Sequence, residues 1–297
     1  MNTRREWLLS ALATVGGGAF SNGFGAAALS GNLDLSAFEK ELVDLEEATG
    51  GRLGVALLDT ASGVHAGHRT DERFPMCSTF KLLAVAAVLA RVDRRKEQLE
   101  RVVRFTPKDI VTYSPATETR VGDAGMSIKE LCAAAITLSD NTAGNLLLAT
   151  IGGPTGLTAF ARTLGDNITR LDRIEPDLNE ALPGDPRDTS TPAAMLSDLR
   201  ALAFGKVLSA PSKGQLIEWL GQNKTGDKRL RAGLPNGWKV GDKTGSGARG
   251  TTNDLAIVWP PKHPPVLVSV YLTGATVDDD QRNLTIAAVG KKIADAL

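Results

Sequence analysis

A serine and a lysine three residues apart are the strongest candidates for reactive groups in this sequence. Ser78-Thr79-Phe80-Lys81 precedes Leu82 to Ala90, a stretch that is apolar on every side and predicts a helix buried in the core. The i, i+3 spacing places Ser78 and Lys81 on one helix face. In a dry environment the pKa of the lysine falls, so its amine can accept the serine proton, and the helix N-terminus favours an oxyanion. Taken alone, however, the motif is better explained by a capping serine and a solvated lysine.

Two further tripeptides supply the groups that such a nucleophile needs. Ser139-Asp140-Asn141 falls between two predicted helices, and Lys243-Thr244-Gly245 falls on a predicted strand. Each would occur by chance in roughly several per cent of chains of this length, so the three motifs together are not explained by chance. They provide a second hydroxyl, an amide and a second cation. These groups suit the binding and opening of an anionic acyl substrate.

The histidines do not indicate a metal site or a histidine-assisted nucleophile. The chain has three, His65, His68 and His263, and none lies near a candidate nucleophile. His65 and His68 belong to a predicted strand and turn without the carboxylate pattern of a zinc site. We interpret them as partly exposed polar side chains, and we expect no metal.

The elements that must position these residues can be predicted from capping and periodicity. Capping boxes at Ser36 and Ser127 each predict the start of a helix, and Gly152 predicts the end of another. The predicted strands cover 55–59, 238–244, 255–259 and 266–272, and a last helix covers 279–296. Strands at both ends with helices between them predict one sheet built from the two termini and a helical middle part. The segment 170–192 is a long polar loop, and such loops are usually functional.

Composition excludes several classes of protein. The 297 residues include 34 Lys and Arg against 34 Asp and Glu, and 5% are aromatic. Without an excess of basic residues, nucleic-acid binding is not expected.

Residues 1–30 combine Arg4-Arg5 with a short apolar, glycine-rich run, which predicts a twin-arginine type of export signal and a periplasmic protein. The run is too interrupted for a stable membrane anchor.

From about residue 31 to 297 the sequence resembles the class A serine β-lactamases, which carry this set of motifs. The resemblance implies that Ser78 is the acylated nucleophile and that Lys81 assists proton transfer. Ser139 would relay a proton to the leaving β-lactam nitrogen. Glu175-Pro176-Asp177-Leu178-Asn179 matches the segment whose glutamate activates the deacylating water, which Asn179 helps to position. Whether Glu175 or Lys81 is the acylation base stays open.

The same resemblance implies a binding site for a small β-lactam. Asn141 would hold the substrate's side-chain amide, and the N–H groups of Ser78 and Ser246 would form the oxyanion hole. Arg173 and Asp188 match an ion pair that closes the loop. The residues expected to bind substrate are Tyr113, Asn141, Asn179, Arg229, Lys243, Thr244, Gly245 and Ser246. No cofactor is implied, and we expect a monomer.

Two features depart from the pattern of many relatives. Thr252 stands where an arginine often follows the Lys-Thr-Gly strand, and Arg229 stands where another subset has a replacement arginine. We therefore expect Arg229 to support the substrate carboxylate. Cys77 precedes the nucleophile, but Gly247 occupies the position of its disulfide partner in the carbapenem-hydrolysing subset. Strong carbapenem hydrolysis is not expected, and both Cys77 and Cys132 should be free thiols.

The expected fold is α+β. An antiparallel sheet formed by the N- and C-terminal segments (31–79 and 223–297) is flanked by helices, residues 80–222 form an all-helical part, and the active site lies in the cleft between them. The expected function is hydrolysis of the β-lactam amide bond of penicillins and cephalosporins through a serine acyl-enzyme, which confers antibiotic resistance. The alternatives are a penicillin-binding D,D-peptidase and a β-lactam sensor domain. Both should lack the deacylation segment that contains Glu175, and a sensor would also need a membrane-spanning region.

Overall fold

The structure is a computed structural model, and it describes residues 35–122 and 124–297. The export signal expected in residues 1–30 lies outside this part of the chain. No helix within the described residues is both long and apolar enough to span a membrane.

The helices are α1 (Leu35–Glu47), α2 (Phe80–Asp93), α3 (Ile128–Thr137), α4 (Asn141–Ile151), α5 (Gly153–Thr163), α6 (Pro192–Phe204), α7 (Ala210–Gly221), α8 (Leu230–Gly233) and α9 (Asp279–Asp295). The strands are β1 (Arg52–Asp59), β2 (His65–His68), β3 (Phe74–Pro75), β4 (Val102–Val103), β5 (Met126–Ser127), β6 (Thr189–Ser190), β7 (Lys239–Gly247), β8 (Thr251–Trp259) and β9 (Val266–Thr273).

Five strands form one antiparallel sheet in the order β2-β1-β9-β8-β7. The N-terminal strand β1 pairs with the last strand β9, with Leu57 opposite Val268. This pairing joins the two ends of the chain in one sheet and confirms the α+β class. On one face, Phe38 and Leu42 of α1 and Ile286 of α9 pack in a common apolar cluster with the sheet. β7 forms one edge of the sheet.

Helix α2 lies in the middle of the larger core, as its uniformly apolar sequence predicts. Every residue from Phe80 to Ala90 is buried, and the helices α3, α4, α5 and α7 pack against α2. Burial on all sides explains why this helix shows little amphipathic pattern. Short ladders also occur, since β4 pairs with β5 and β3 pairs with β6. The middle part of the chain is therefore mainly, but not entirely, helical.

The capping predictions have different outcomes. At Ser127, the Oγ accepts from the N–H of Glu130 at 3.2 Å while the Glu130 carboxylate accepts from the Ser127 N–H at 2.7 Å, which confirms the capping box. Gly152 ends α4 with a left-handed φ of 95°, as predicted. The capping box at Ser36 is wrong, because α1 begins at Leu35 and Ser36 lies inside its first turn. Burial of Phe38 and Leu42 against the sheet stabilises this helix.

His65 and His68 lie on β2, an edge strand. His65 is exposed, while the Nε2 of the half-buried His68 lies 3.2 Å from a carboxylate oxygen of Glu46. Within residues 35–122 and 124–297, no three His, Cys, Asp or Glu side chains are grouped so that they could hold a metal ion.

A buried carboxyl in α6 makes a testable prediction about stability. Asp198 is 1% exposed, and one of its oxygens has no hydrogen-bond partner in the described structure. Burial, followed by the neighbouring Asp166, raises the pKa of Asp198 from 3.8 to about 9. The folded protein keeps this proton where the unfolded chain has lost it, so stability falls as pH rises from about 4 to about 9. We expect Asp198→Asn to raise the free energy of unfolding at pH 8 by roughly 1–3 kcal/mol, and by less at pH 5.

Urea unfolding of both proteins at pH 5 and pH 8 measures this difference. Asp44→Asn, which removes an exposed carboxylate from α1, is the matched control and should change stability little at either pH. A gain from Asp198→Asn of the same size at both pH values would contradict the argument.

Candidate active site

The nucleophile candidate lies on a strained turn that the sheet holds in place. Cys77–Thr79 forms a single 3-10 turn leading into α2, and Cys77 has a left-handed φ of 46°. The side-chain amide of Asn253 on β8 donates to the carbonyls of Pro75 at 2.9 Å and Met76 at 3.0 Å. A Cβ at Gly245 would lie 2.8 Å from the Met76 carbonyl, so β7 can approach this closely only because that residue is glycine. The turn is thereby fixed from two sides.

The hydroxyl of Ser78 contacts both an amine and a carboxylate. Lys81 Nζ donates to Ser78 Oγ at 2.8 Å, and Ser78 Oγ donates to Glu175 Oε1 at 3.1 Å. Lys81 Nζ lies 3.1 Å from the same Glu175 oxygen. The side chains of Lys81 and Glu175 are fully buried, while Ser78 borders an open cavity. This arrangement offers two routes by which the serine proton can leave.

The environment of Lys81 weakens its affinity for a proton. Burial lowers the pKa of Lys81, although the Glu175 carboxylate acts in the opposite direction. The ammonium also donates to the Ser139 carbonyl at 2.8 Å and to Asn141 Oδ1 at 2.6 Å. Its three donors are therefore directed at fixed acceptors, and the amine is held beside Ser78.

The loop between α5 and α6 brings Glu175 under the nucleophile. Asn179 Nδ2 donates to Glu175 Oε2 at 2.5 Å. The side chain of Asn145 on α4 accepts from the Glu175 N–H and donates to its carbonyl, both at 2.9 Å. Arg173 Nε donates to Asp188 Oδ2 at 2.6 Å, which is the ion pair expected to close the loop. Glu175 is thus held both by its side-chain carboxylate and by its backbone.

A second buried lysine faces Ser139 from the opposite side. Lys243 Nζ donates to Ser139 Oγ at 3.0 Å and to the Thr244 carbonyl at 2.8 Å. Burial, and then the charge of Lys81, hold the pKa of Lys243 well below its ordinary value. The Thr244 hydroxyl lies 2.5 Å from that of Thr225. Ser139 has a left-handed φ of 58°, and Asp140 caps α4, so a strained, capped turn presents this hydroxyl.

Arg229 reaches β7 from the turn before α8. Its Nη1 donates to the carbonyls of Gly245 at 2.8 Å and Asn253 at 2.7 Å. Its Nη2 donates to Ser246 Oγ at 2.7 Å, and its Nε donates to Asn283 Oδ1 at 3.0 Å. Arg229 is 9% exposed and lines the open cavity. Its positive charge therefore lies directly behind Ser246.

These groups surround a cavity of about 430 Å³, a size that suits a small-molecule ligand. Tyr113, which is 56% exposed, stands on its rim with a left-handed φ of 63°. The cavity is lined by Ser78, Tyr113, Ser139, Asn141, Asn179, Lys224, Thr225, Arg229, Thr244, Gly245 and Ser246. The structure thus gathers every residue predicted to be catalytic or substrate-binding around or directly beneath one cavity, where Lys81, Glu175 and Lys243 form the buried layer.

Both cysteines are free and buried, as the sequence predicts. Burial raises the pKa of each thiol, so neither is a thiolate at neutral pH. The sulfur of Cys77 lies 2.6 Å from where a Cβ at Gly247 would stand. Glycine at this position leaves Cys77 without a disulfide partner.

Sequence reasoning missed three residues that organise the site. Asn145 holds the backbone of Glu175, Thr225 contacts Thr244, and Asn253 fixes the nucleophile turn. Asn145 lies four residues after Asn141, on the same face of α4, which was the one available signal. Nothing local marks Thr225 or Asn253.

Comparison with known proteins identifies the family. The Beta-lactamase enzyme family model matches residues 37–297. β-Lactamase AST-1 of Nocardia asteroides is 50% identical over 87% of this chain and 83% of its own length. β-Lactamase CTX-M-8 of Citrobacter amalonaticus is 48% identical over 86% of this chain and 88% of its own length. The structure of a class A β-lactamase representing the last common ancestor of Gram-negative bacteria has a TM-score of 0.86 at 61% identity, covering 88% of this chain and 99% of that one. The chain belongs to the class A serine β-lactamases, enzymes that hydrolyse β-lactams and confer resistance to these antibiotics.

Proposed function

We propose that the reaction proceeds through an acyl-enzyme on Ser78. Its Oγ attacks the β-lactam carbonyl carbon, and the serine proton passes to Lys81 or Glu175, which both contact that oxygen. The backbone N–H groups of Ser78 and Ser246 stabilise the oxyanion. When the C–N bond breaks, Ser139 gives its proton to the nitrogen and takes back the proton that left Ser78, so that Glu175 is again a carboxylate. Lys243 Nζ, 3.0 Å from Ser139 Oγ, stabilises this oxygen during the transfer. The observation that carries this proposal is the contact of Ser78 Oγ with both bases.

The second half of the cycle depends on Glu175. A water between this carboxylate and the acyl ester gives its proton to Glu175, and the resulting hydroxide attacks the ester carbon. The proton then returns to Ser78 Oγ, 3.1 Å from Glu175 Oε1, as the ester C–O bond breaks. Asn179 restrains the carboxylate throughout. A loop acid held in this way distinguishes hydrolysis from the lasting acylation expected of a sensor.

The substrates that fit best are penicillins and cephalosporins. Their carboxylate would accept from Thr244 and would lie near the charges of Lys243 and Arg229, while Asn141 would hold the side-chain amide. Tyr113 would flank the entrance, and Gly245 would allow β7 to lie close to the substrate.

We also propose that the protein acts as a monomer in the periplasm after export through the signal in residues 1–30. The neutral charge balance of the chain continues to argue against nucleic acid as a partner.

The decisive experiment measures product per enzyme when the purified protein meets excess benzylpenicillin. Steady turnover of many equivalents is the expected result. A burst of one equivalent followed by no further product would instead indicate a D,D-peptidase-like enzyme or a sensor.

Removal of Arg229 should weaken substrate binding. Arg229→Ala deletes a cation behind the proposed carboxylate site, and such a charge-assisted contact is worth about tenfold in affinity. We expect KM for benzylpenicillin to rise about tenfold or more, with a smaller change in kcat. Steady-state kinetics measure both quantities.

Two variants control for other effects of this substitution. Lys228→Ala removes an exposed cation one residue away and should leave KM unchanged. Arg229→Lys keeps the charge and should recover part of the lost binding. Unchanged kinetics in a folded Arg229→Ala enzyme would refute the assigned role.

A further inference from the structure

A second cavity lies beneath the far half of the loop that carries Glu175. It has a volume of about 550 Å³ and lies between residues 181–186 of that loop and the end of the sheet, where β1 starts at Arg52 and β9 ends at Thr273. We call it the loop cavity. It shares no lining residue with the active-site cavity. Its size is within the range of small-molecule sites.

Some of the charges around the loop cavity neutralise each other. Arg52 Nη1 donates to Glu72 Oε2 at 2.8 Å, and both residues line the cavity. Asp185, also in the lining, forms an ion pair with Arg187 at 2.6 Å. These pairs leave neither carboxylate in the lining without a cation. They therefore neither attract nor repel an anion strongly.

Two other arginines in the lining contact only neutral oxygens within the described structure. Arg73 Nη1 donates to the Ile168 carbonyl and the Thr189 hydroxyl, both at 3.0 Å. Arg249 Nη1 donates to the Glu180 carbonyl at 2.8 Å. Each guanidinium has further N–H groups available, and a planar guanidinium suits carboxylate or phosphate oxygens. Because Asp185 is paired with Arg187 from outside the lining, two arginines of the lining, Arg73 and Arg249, are left without a carboxylate partner.

We propose that the loop cavity is a binding site for a small polyanion with at least two carboxylate or phosphate groups. Arg73 binds one group at the Thr189 end of the cavity, and Arg249 binds another beside Ala181. A ligand with a single charge would engage only one guanidinium, so affinity requires both groups. A neutral molecule of the same size has no comparable partners.

Occupancy of this site also affects the segment that positions Glu175. The N–H of Ala248 donates to the Asn179 carbonyl at 2.9 Å, and Arg249 holds the next carbonyl, that of Glu180. A polyanion on Arg249 therefore restrains the backbone beside Asn179, whose side chain donates to Glu175. This effect on hydrolysis rests on the proposed role of Glu175, whereas binding itself does not.

The test is a nuclear magnetic resonance titration of the ¹⁵N-labelled protein at constant ionic strength, with citrate in one series and pyrophosphate in another. We expect saturable shifts at the lining glycines Gly51, Gly184 and Gly274. The series with the tighter response identifies the anion as carboxylate or phosphate. Shifts centred on Gly245 would overturn the proposal, because they would place the anion in the active site. The absence of any saturable shift would also overturn it.

Charge variants test which side chains are responsible. Arg73→Gln combined with Arg249→Gln should weaken binding of the tighter anion by roughly tenfold or more. The matched control is Arg94→Gln combined with Arg104→Gln, which removes two exposed charges outside the cavity and should keep the affinity. If the first double variant does not fold, each single substitution should still weaken binding severalfold. Equal affinity in the cavity and control variants would refute the assignment.

Discussion

Replacement of Glu175 by glutamine is expected to reduce steady hydrolysis of benzylpenicillin by roughly 10³-fold, a loss typical of a general base. The amide has nearly the same shape as the carboxylate; its oxygen can still accept from Asn179, while its NH2 group can donate to Ser78 Oγ, which reverses that contact. It cannot take a proton from water, so the ester on Ser78 should persist. Lys81 still contacts the serine oxygen at 2.8 Å and offers a second route for acylation. The variant should therefore form the acyl-enzyme and fail to release it.

Mass spectrometry of the intact protein checks this expectation, because an accumulated acyl-enzyme adds the mass of one penicillin. Asp177→Asn, an exposed acid in the same loop, is the matched control and should turn over normally without an adduct. If Glu175→Gln hydrolyses slowly but shows no adduct, acylation is the impaired step. Glu175 would then be required as the acylation base, and Lys81 would not replace it.

The motifs could be predicted from the sequence because each is local. Ser78 and Lys81 lie one turn apart on a helix whose apolar sequence already indicates burial, and burial is what lowers the pKa of Lys81. Strands at both ends of the chain predicted that the two termini share one sheet, which the pairing of β1 with β9 confirms. In both cases a short pattern, combined with one physical rule, was sufficient.

The supporting contacts could not be predicted in this way. Asn253 contacts Pro75 across 178 residues of sequence, and only the register of β8 beside β7 brings its amide to the nucleophile turn. Such long-range packing leaves no short signature in the sequence. The capping box at Ser36 was wrong by position, because Leu35 already belongs to the helix and Ser36 therefore does not precede it.

Replacement of Ser78 by alanine should cause the largest loss of all, roughly 10⁴- to 10⁶-fold in kcat, as removal of the nucleophile does in other serine enzymes. Among the residues that the structure describes, no other hydroxyl has the same contacts. Ser139 Oγ accepts from Lys243 and has no contact with Glu175, so it lacks the carboxylate that Ser78 has at 3.1 Å. Neither an adduct nor a burst should be seen by mass spectrometry or by rapid-mixing absorbance.

The same variant separates binding from chemistry, because alanine leaves Lys243, Thr244 and Arg229 in place. Benzylpenicillin should still bind Ser78→Ala, as measured by equilibrium titration, and Arg229→Ala in that background should weaken binding. Adding Glu175→Gln to Ser78→Ala should cost almost nothing further, since a deacylating base has no ester to act on. A large additional loss in that double variant would mean that Glu175 promotes direct attack of water on the β-lactam. That route would then account for the residual activity of Ser78→Ala, whereas the loss caused by removing Ser78 would still require the acyl-enzyme in the unaltered protein.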